Sequence, residues 1–123
     1  MTIKYSDVFV TMASTNLDIM IDFYTRLLEQ KPQKYIPNVY AEFHFKNVKL
    51  GIFKPKITHE SEFRNSAKNK ISLCVEVNNL EEAIAHLQTI GYPTQSEITT
   101  ASHGREIYAY DPDGNRIIFH QSK

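Results

Sequence analysis

What this chain lacks narrows it first. Cys74 is the only cysteine in 123 residues, so no internal disulfide is available. The opening run MTIKYSDVFVTMAS has neither the basic start nor the apolar core of a secretory signal, and a cytoplasmic location is the expectation. Lys plus Arg number 14 and Asp plus Glu number 14, leaving no global field to recruit nucleic acid, an anionic membrane or a highly charged substrate. No apolar run approaches the roughly 20 residues that span a bilayer. With only four glycines there is no phosphate-cradling loop, and neither a nucleophile-elbow motif with Ser-His-Asp order nor paired Cys clusters occur. His44, His59, His86, His103 and His120 are scattered, with no pair at the i, i+4 spacing of a helical zinc site. Hydrolase, kinase and zinc-finger readings lose their usual support.

What is present fits one folded domain over residues 1–123, since 41% hydrophobic and 23% charged residues are ordinary for a globular chain with a single core. Asp7 to Ser14 alternates Val8, Val10 and Met12 against Phe9, Thr11 and Ala13 and reads as a strand. Thr15 or Asn16 can cap the helix that follows, in which Leu17, Met20, Phe23, Tyr24 and Leu27 recur at helical spacing up to Lys31-Pro32. Residues 39–45 and 48–53 alternate again across a Lys46-Asn47 turn, which predicts a hairpin. Lys54 to Lys70 has no sustained period and reads as a connecting loop, a lid or a linker. Then Ile71, Leu73, Val75 and Val77 alternate as a strand. Asn79 precedes Leu80, Ala83, Ile84 and Leu87 at helical spacing, with Glu82 placed for a capping box and Gly91 as the stop. Residues 94–102 predict a weak strand and loop. Gly104 to His120 closes the chain as two strands around Asp111-Pro112-Asp113-Gly114-Asn115, a turn in which Pro fixes φ, Asp side chains bond nearby amides and Gly accepts positive φ.

Asn16-Leu17-Asp18 and Asn79-Leu80-Glu81 superpose at an offset of 63 residues, which also carries Val10 onto Leu73, Met12 onto Val75 and Ile21 onto Ile84. Agreement of core parity in both strand and helix predicts a duplicated βαβββ module, at about 5–54 and 70–121, joined by the 54–70 loop. The expected class is therefore α+β: two tandem modules forming a cup-shaped mixed sheet, with the helices on its outer face.

The opening strand and helix ending in Phe23-Tyr24-Thr25-Arg26-Leu27-Leu28, the module repeat and the DPDGN turn together resemble the vicinal oxygen chelate superfamily of glyoxalases, bleomycin-resistance proteins and extradiol dioxygenases. The resemblance implies four His or Glu ligands projecting into the cup from the first and last strands of each module, holding a divalent ion. Carried across, those slots fall on Phe9, Gly51, Ser72 and Ile118. None is a good ligand for a divalent ion, so no metal and no other cofactor is expected, and the chain resembles the metal-free branch. A one-residue slip would turn the apolar set to the wrong face, so register error offers no rescue.

Other candidates are read from parity. Tyr108 and Tyr110 alternate with the core-facing Ile107 and Ala109, so their rings face the cup with Phe9, Phe53 and Ile118, or else cover a dimer interface. His120 shares parity with Ile118 and Arg116 and is the one candidate for an acid or base; His103 reads as a loop residue and His86 as solvated. Arg105 and Lys49 either fix an anionic group or form surface ion pairs with Glu106 or Glu42. Cys74 reads as an inert filler.

The leading expectation is a metal-free protein that sequesters or carries a small apolar or aromatic molecule, contacted by Phe9, Phe53, Ser72, Arg105, Tyr108, Tyr110, Ile118 and His120. A cationic drug would call for an acidic excess that this neutral chain does not have. Two alternatives stay open: a lyase or isomerase working through His120, Tyr108 or Tyr110, and an interaction module with a filled cup. Metal-dependent glyoxalase or dioxygenase activity is not expected. By analogy the chain is a homodimer, either closing each cup within one chain or exchanging modules between two.

Overall fold

Alternation and helical stripes resolve into eight strands and two α-helices in a computed structural model that describes residues 3–4, 6–64 and 70–123. The first module runs β1 (Val10–Ala13), α1 (Leu17–Leu28), β2 (Lys34–Ile36), β3 (Tyr40–His44) and β4 (Lys49–Phe53). After a 3₁₀ segment at Ile57–Phe63, the second runs β5 (Leu73–Glu76), α2 (Leu80–Thr89), β6 (Thr99–Ala101), β7 (Gly104–Tyr110) and β8 (Arg116–Ser122). The expected loop at 54–70 thus contains a helical turn in its first part, and residues 65–69 lie outside the described residues.

Each module builds a four-stranded mixed sheet, in the orders β1-β4-β3-β2 and β5-β8-β7-β6. The first strand of each is parallel to the last, with Val10 opposite Leu50 and Leu73 opposite Ile117. The parallel pairs need the crossover that each helix supplies. The duplication is therefore structural as well as sequential: an offset of 63 carries the first residue of β1 onto that of β5 and the first residue of α1 onto that of α2. An α+β fold of two tandem βαβββ modules was the expected class, and that class is what forms.

One face of each sheet is covered. The stripe Leu17, Met20, Phe23, Tyr24 and Leu27 of α1 is buried with Phe43, Leu50 and Ile52, and in the second module Leu80 and Leu87 of α2 are buried with Ile107, Ala109, Ile117 and Phe119. These residues form one continuous cluster, because the modules meet through their helical sides. The Phe23 ring stands edge-on to Tyr92 at 4.8 Å, and His86 Nε2 donates to the Arg26 carbonyl at 2.8 Å. His86, expected to be solvated, is a half-buried part of this contact.

A buried hydrogen bond between the modules joins two of the stretches on which the family resemblance rests. Tyr24 Oη donates to Asp111 Oδ2 at 2.8 Å, and Asp111 also accepts from the Asp113 and Asn115 amides and from Asn115 Nδ2. The Asp111 carboxylate, almost fully buried, is thus saturated by donors from its own turn and from α1. Burial pushes the Tyr24 phenol far above its ordinary range, with the Asp111 charge adding to it, so the hydroxyl stays protonated and serves as a donor. Among the described residues, no helix is long and apolar enough to cross a membrane.

Candidate functional site

The site is built on the faces that the helices leave uncovered. In the first sheet, register aligns Thr11, Gly51, Glu42 and Lys34 in one row across four strands. In the second, Cys74, Ile118 and Tyr108 form the corresponding row, and Glu76, His120, Glu106 and Thr99 the next. Gly51 and Ile118 therefore occupy matching central positions. Phe9 precedes β1 and is partly exposed, and Ser72 precedes β5, where its Oγ receives a hydrogen bond from Arg116 Nε at 2.6 Å.

The Gly51 position is not open space. A Cβ placed there would lie 2.6 Å from Tyr40 Oη and 3.0 Å from Tyr40 Cε1, so the absence of a side chain on β4 is what lets the ring of β3 lean across it. Tyr40 Oη then donates to Glu42 Oε1 at 2.8 Å, while Glu42 Oε2 is bonded by His44 Nε2. Lys34 Nζ stands 4.0 Å away. Glu42 is only 6% exposed, unusual for a carboxylate on an uncovered sheet face, and it is held ionised: the bonds from His44 and Tyr40 lower its pKa below the ordinary value. Partial desolvation and the bond to Glu42 push the Tyr40 phenol up to about 12. Both partners are thus fixed in their ordinary charge states and act as a structural plug.

The second sheet carries a different polar group. Glu76 Oε2 accepts from the Ser122 amide at 2.8 Å and from its hydroxyl at 2.7 Å, and Glu76 Oε1 accepts from His120 Nδ1 at 2.6 Å. The other nitrogen of His120, Nε2, lies 2.9 Å from His103 Nδ1, with the ring centres 5.0 Å apart and the ring planes 26° from parallel. The bonds from Ser122 and His120 hold the Glu76 carboxyl below its ordinary range. His103, read from sequence as a loop residue, is brought to His120 because Gly104 turns the chain with φ of 143° into β7. A Cβ at Gly104 would stand 2.2 Å from the Gln121 carbonyl oxygen, so only glycine permits this approach.

Tyr108 and Tyr110 lie on the uncovered face and are exposed, with the Arg116 guanidinium carbon 6.0 Å from the Tyr108 ring centre. They also border a cleft of about 480 Å³ shared with Tyr92, Pro93 and Ser96, along the part of β7 that β6 does not reach. Phe53 packs edge-on against Phe63 of the 3₁₀ segment at 5.5 Å. Cys74 is an exposed thiol, and partial burial together with the charges of Glu76 and Glu106 pushes it up, away from the thiolate.

Arg105 requires a correction. Expected at the cup, it is turned to the helix side, where it forks onto both oxygens of Glu81 of α2 and onto Gln121 Oε1 at 2.9 Å. That pairing holds the Glu81 carboxyl down at about 2. Lys49 likewise pairs with Asp7 rather than with Glu42 or a ligand. The network of Tyr40, Glu42 and His44 was missed in the sequence, although strand alternation sets the three on one face opposite Gly51.

The profile of the Glyoxalase/Bleomycin resistance protein/Dioxygenase superfamily matches residues 8–119. The chain belongs to this superfamily. Among solved structures it is similar to a glyoxalase-related enzyme from Fulvimarina pelagi at 18% identity, covering 96% of this chain and 89% of that one with a TM-score of 0.75. A lactoylglutathione lyase from Agrobacterium tumefaciens is similar at 14% identity, covering 96% and 95%, with a TM-score of 0.69. A bleomycin-binding protein in complex with bleomycin matches at 16% identity over 97% and 100%, with a TM-score of 0.66. At these identities the likeness establishes the fold alone. No curated protein sequence matches the chain.

The divalent ion that the superfamily implies does not fit this donor set. Phe9, Gly51 and Ile118 offer no side-chain donor, and the Ser72 hydroxyl is engaged by Arg116. Among the described residues no group of three or more His, Cys, Asp or Glu is arranged to hold a metal. Glu42, paired with Gly51 across the sheet, has both oxygens engaged.

Proposed function

We propose that this superfamily member binds a small, largely apolar or aromatic organic molecule against its uncovered sheet faces, without a resident metal. The supporting observation is the replacement at Gly51: where a ligand side chain would project, the Tyr40 ring lies over the glycine and is held by Glu42. Tyr108 and Tyr110 supply exposed rings with polar tips on the matching face, suited to an amphipathic guest. In a library of small aromatic molecules examined by ligand-observed saturation-transfer NMR, hits should lose their signal against a Tyr108→Ala/Tyr110→Ala double variant. Hits that bind the double variant as well as the wild type would contradict the assignment.

A second reading, acid/base catalysis on the same face, is favoured by one observation: the hydrogen-bonded series Glu76, His120 and His103. A carboxylate that orients an imidazole is the arrangement general base catalysis uses. In this reading a His120→Ala protein loses turnover of the bound molecule; turnover equal to the wild type would remove it.

A further inference from the structure

The geometry points to His103, rather than His120, as the proton-accepting end of a relay running through His120 to Glu76, open to a neutral or cationic proton acid. The inference deepens the acid/base reading and rests on it.

The direction of the relay follows from donor and acceptor counting. Glu76 is an acceptor on both oxygens, so the His120 nitrogen facing it, Nδ1, carries a proton. In a neutral His120 this leaves Nε2 as an acceptor. Its neighbour 2.9 Å away, His103 Nδ1, must then be the donor, and the unshared pair of the series lies on His103 Nε2. His103 is exposed, whereas the His120 side chain is 15% exposed and engaged at both nitrogens.

The step balances within the chain. A substrate O–H or C–H bond gives its proton to His103 Nε2 and keeps the electron pair. The proton on His103 Nδ1 passes to His120 Nε2, leaving a neutral His103 and a His120 imidazolium against the Glu76 carboxylate. The reverse transfer returns the proton. The charged groups facing the pair are Glu76 on β5 and Glu106, directly opposite His120 on β7; Arg116, four residues away on the same face of β8, bonds Ser72. Two carboxylates beside the pair favour a substrate that starts neutral or cationic and disfavour an anionic one. Arg105 faces the other side of the sheet and takes no part.

The relay is read without any substrate, so its failure is distinct from that of the catalytic reading. Long-range proton–nitrogen correlation on the wild-type protein assigns the tautomer of each histidine. The expected result is a proton on Nδ1 in both His103 and His120; protons on Nε2 of either ring would overturn the inference. A second measurement follows acylation by diethyl pyrocarbonate, mapped residue by residue. His44 and His86 have Nε2 engaged by Glu42 and the Arg26 carbonyl, so exposed His59 is the internal reference. His103 should react ahead of His59 and His120, and this lead should be lost in Glu76→Gln. Acylation of His103 no faster than His59, or His120 reacting first, would refute it.

Discussion

Gly51 shows how a single missing Cβ reshapes a site. Strand alternation alone makes Glu42 a solvent-facing residue, yet it is buried because a ring from its own strand crosses a glycine on the next. Pattern within one strand cannot report such burial, since it depends on the cross-strand neighbour. That Phe9, Gly51 and Ile118 carry no metal-binding side chain is a matter of residue identity alone; that the Tyr40 ring covers Gly51 is not. Arg105 is the opposite case. It shares parity with the buried Ile107 and Ala109, so alternation already assigned it to the helix side, against the expectation of a cup contact. A Gly51→Ala substitution should cost roughly 1–3 kcal/mol, the usual penalty of forcing atoms into a filled site. The same substitution in a Tyr40→Ala background should cost far less, because the obstructing ring is gone. Equal losses of denaturant stability in the two backgrounds would contradict the plug.

At the scale of elements, the two helices test how far a repeat extends. Asn16 and Asn79 occupy equivalent positions at the offset of 63, and both precede a leucine-led stripe. Only Asn79 caps: its Oδ1 accepts from the Glu82 amide at 2.9 Å, whereas the Asn16 side chain makes no capping bond and its own amide donates to Ser14 Oγ. Asn79→Ala should therefore destabilise by about 1 kcal/mol, and Asn16→Ala should fall well short of that, as read from urea midpoints; equal losses would show that the repeat extends to the caps. Helix stripes, the first strand of each module and the closing hairpin were legible because each has a sustained period. The parallel pairing of those first strands was not, since a period within one strand does not set the direction of its partner. The strand β2 and the 3₁₀ segment were not legible either. Lys34–Ile36 is a three-residue edge strand exposed throughout, and Ile57–Phe63 buries no residue, so neither leaves a pattern of apolar positions.

At the scale of the molecule, the modules share one core through their helices, and the Tyr24–Asp111 bond ties the helix of one to the closing turn of the other. The single chain leaves Phe9, Tyr108 and Tyr110 exposed on the faces proposed to bind a guest. A second copy laid across these faces would enclose the site and cover that apolar surface. The expected mass in sedimentation equilibrium at tens of micromolar is twice 14.2 kDa; a strictly single-chain mass would contradict a site completed between copies.

The central claim is that the superfamily's ion has no place here. It is tested by dialysing the purified protein to equilibrium against nickel, zinc, manganese and iron salts, passing it through a desalting column and analysing the eluate for metals. Because Phe9, Gly51, Ser72 and Ile118 offer no usable ligand set and Glu42 is committed to Tyr40 and His44, the protein should emerge with far less than one ion per chain. One tightly retained ion per chain, in any of the four dialyses, would contradict the account.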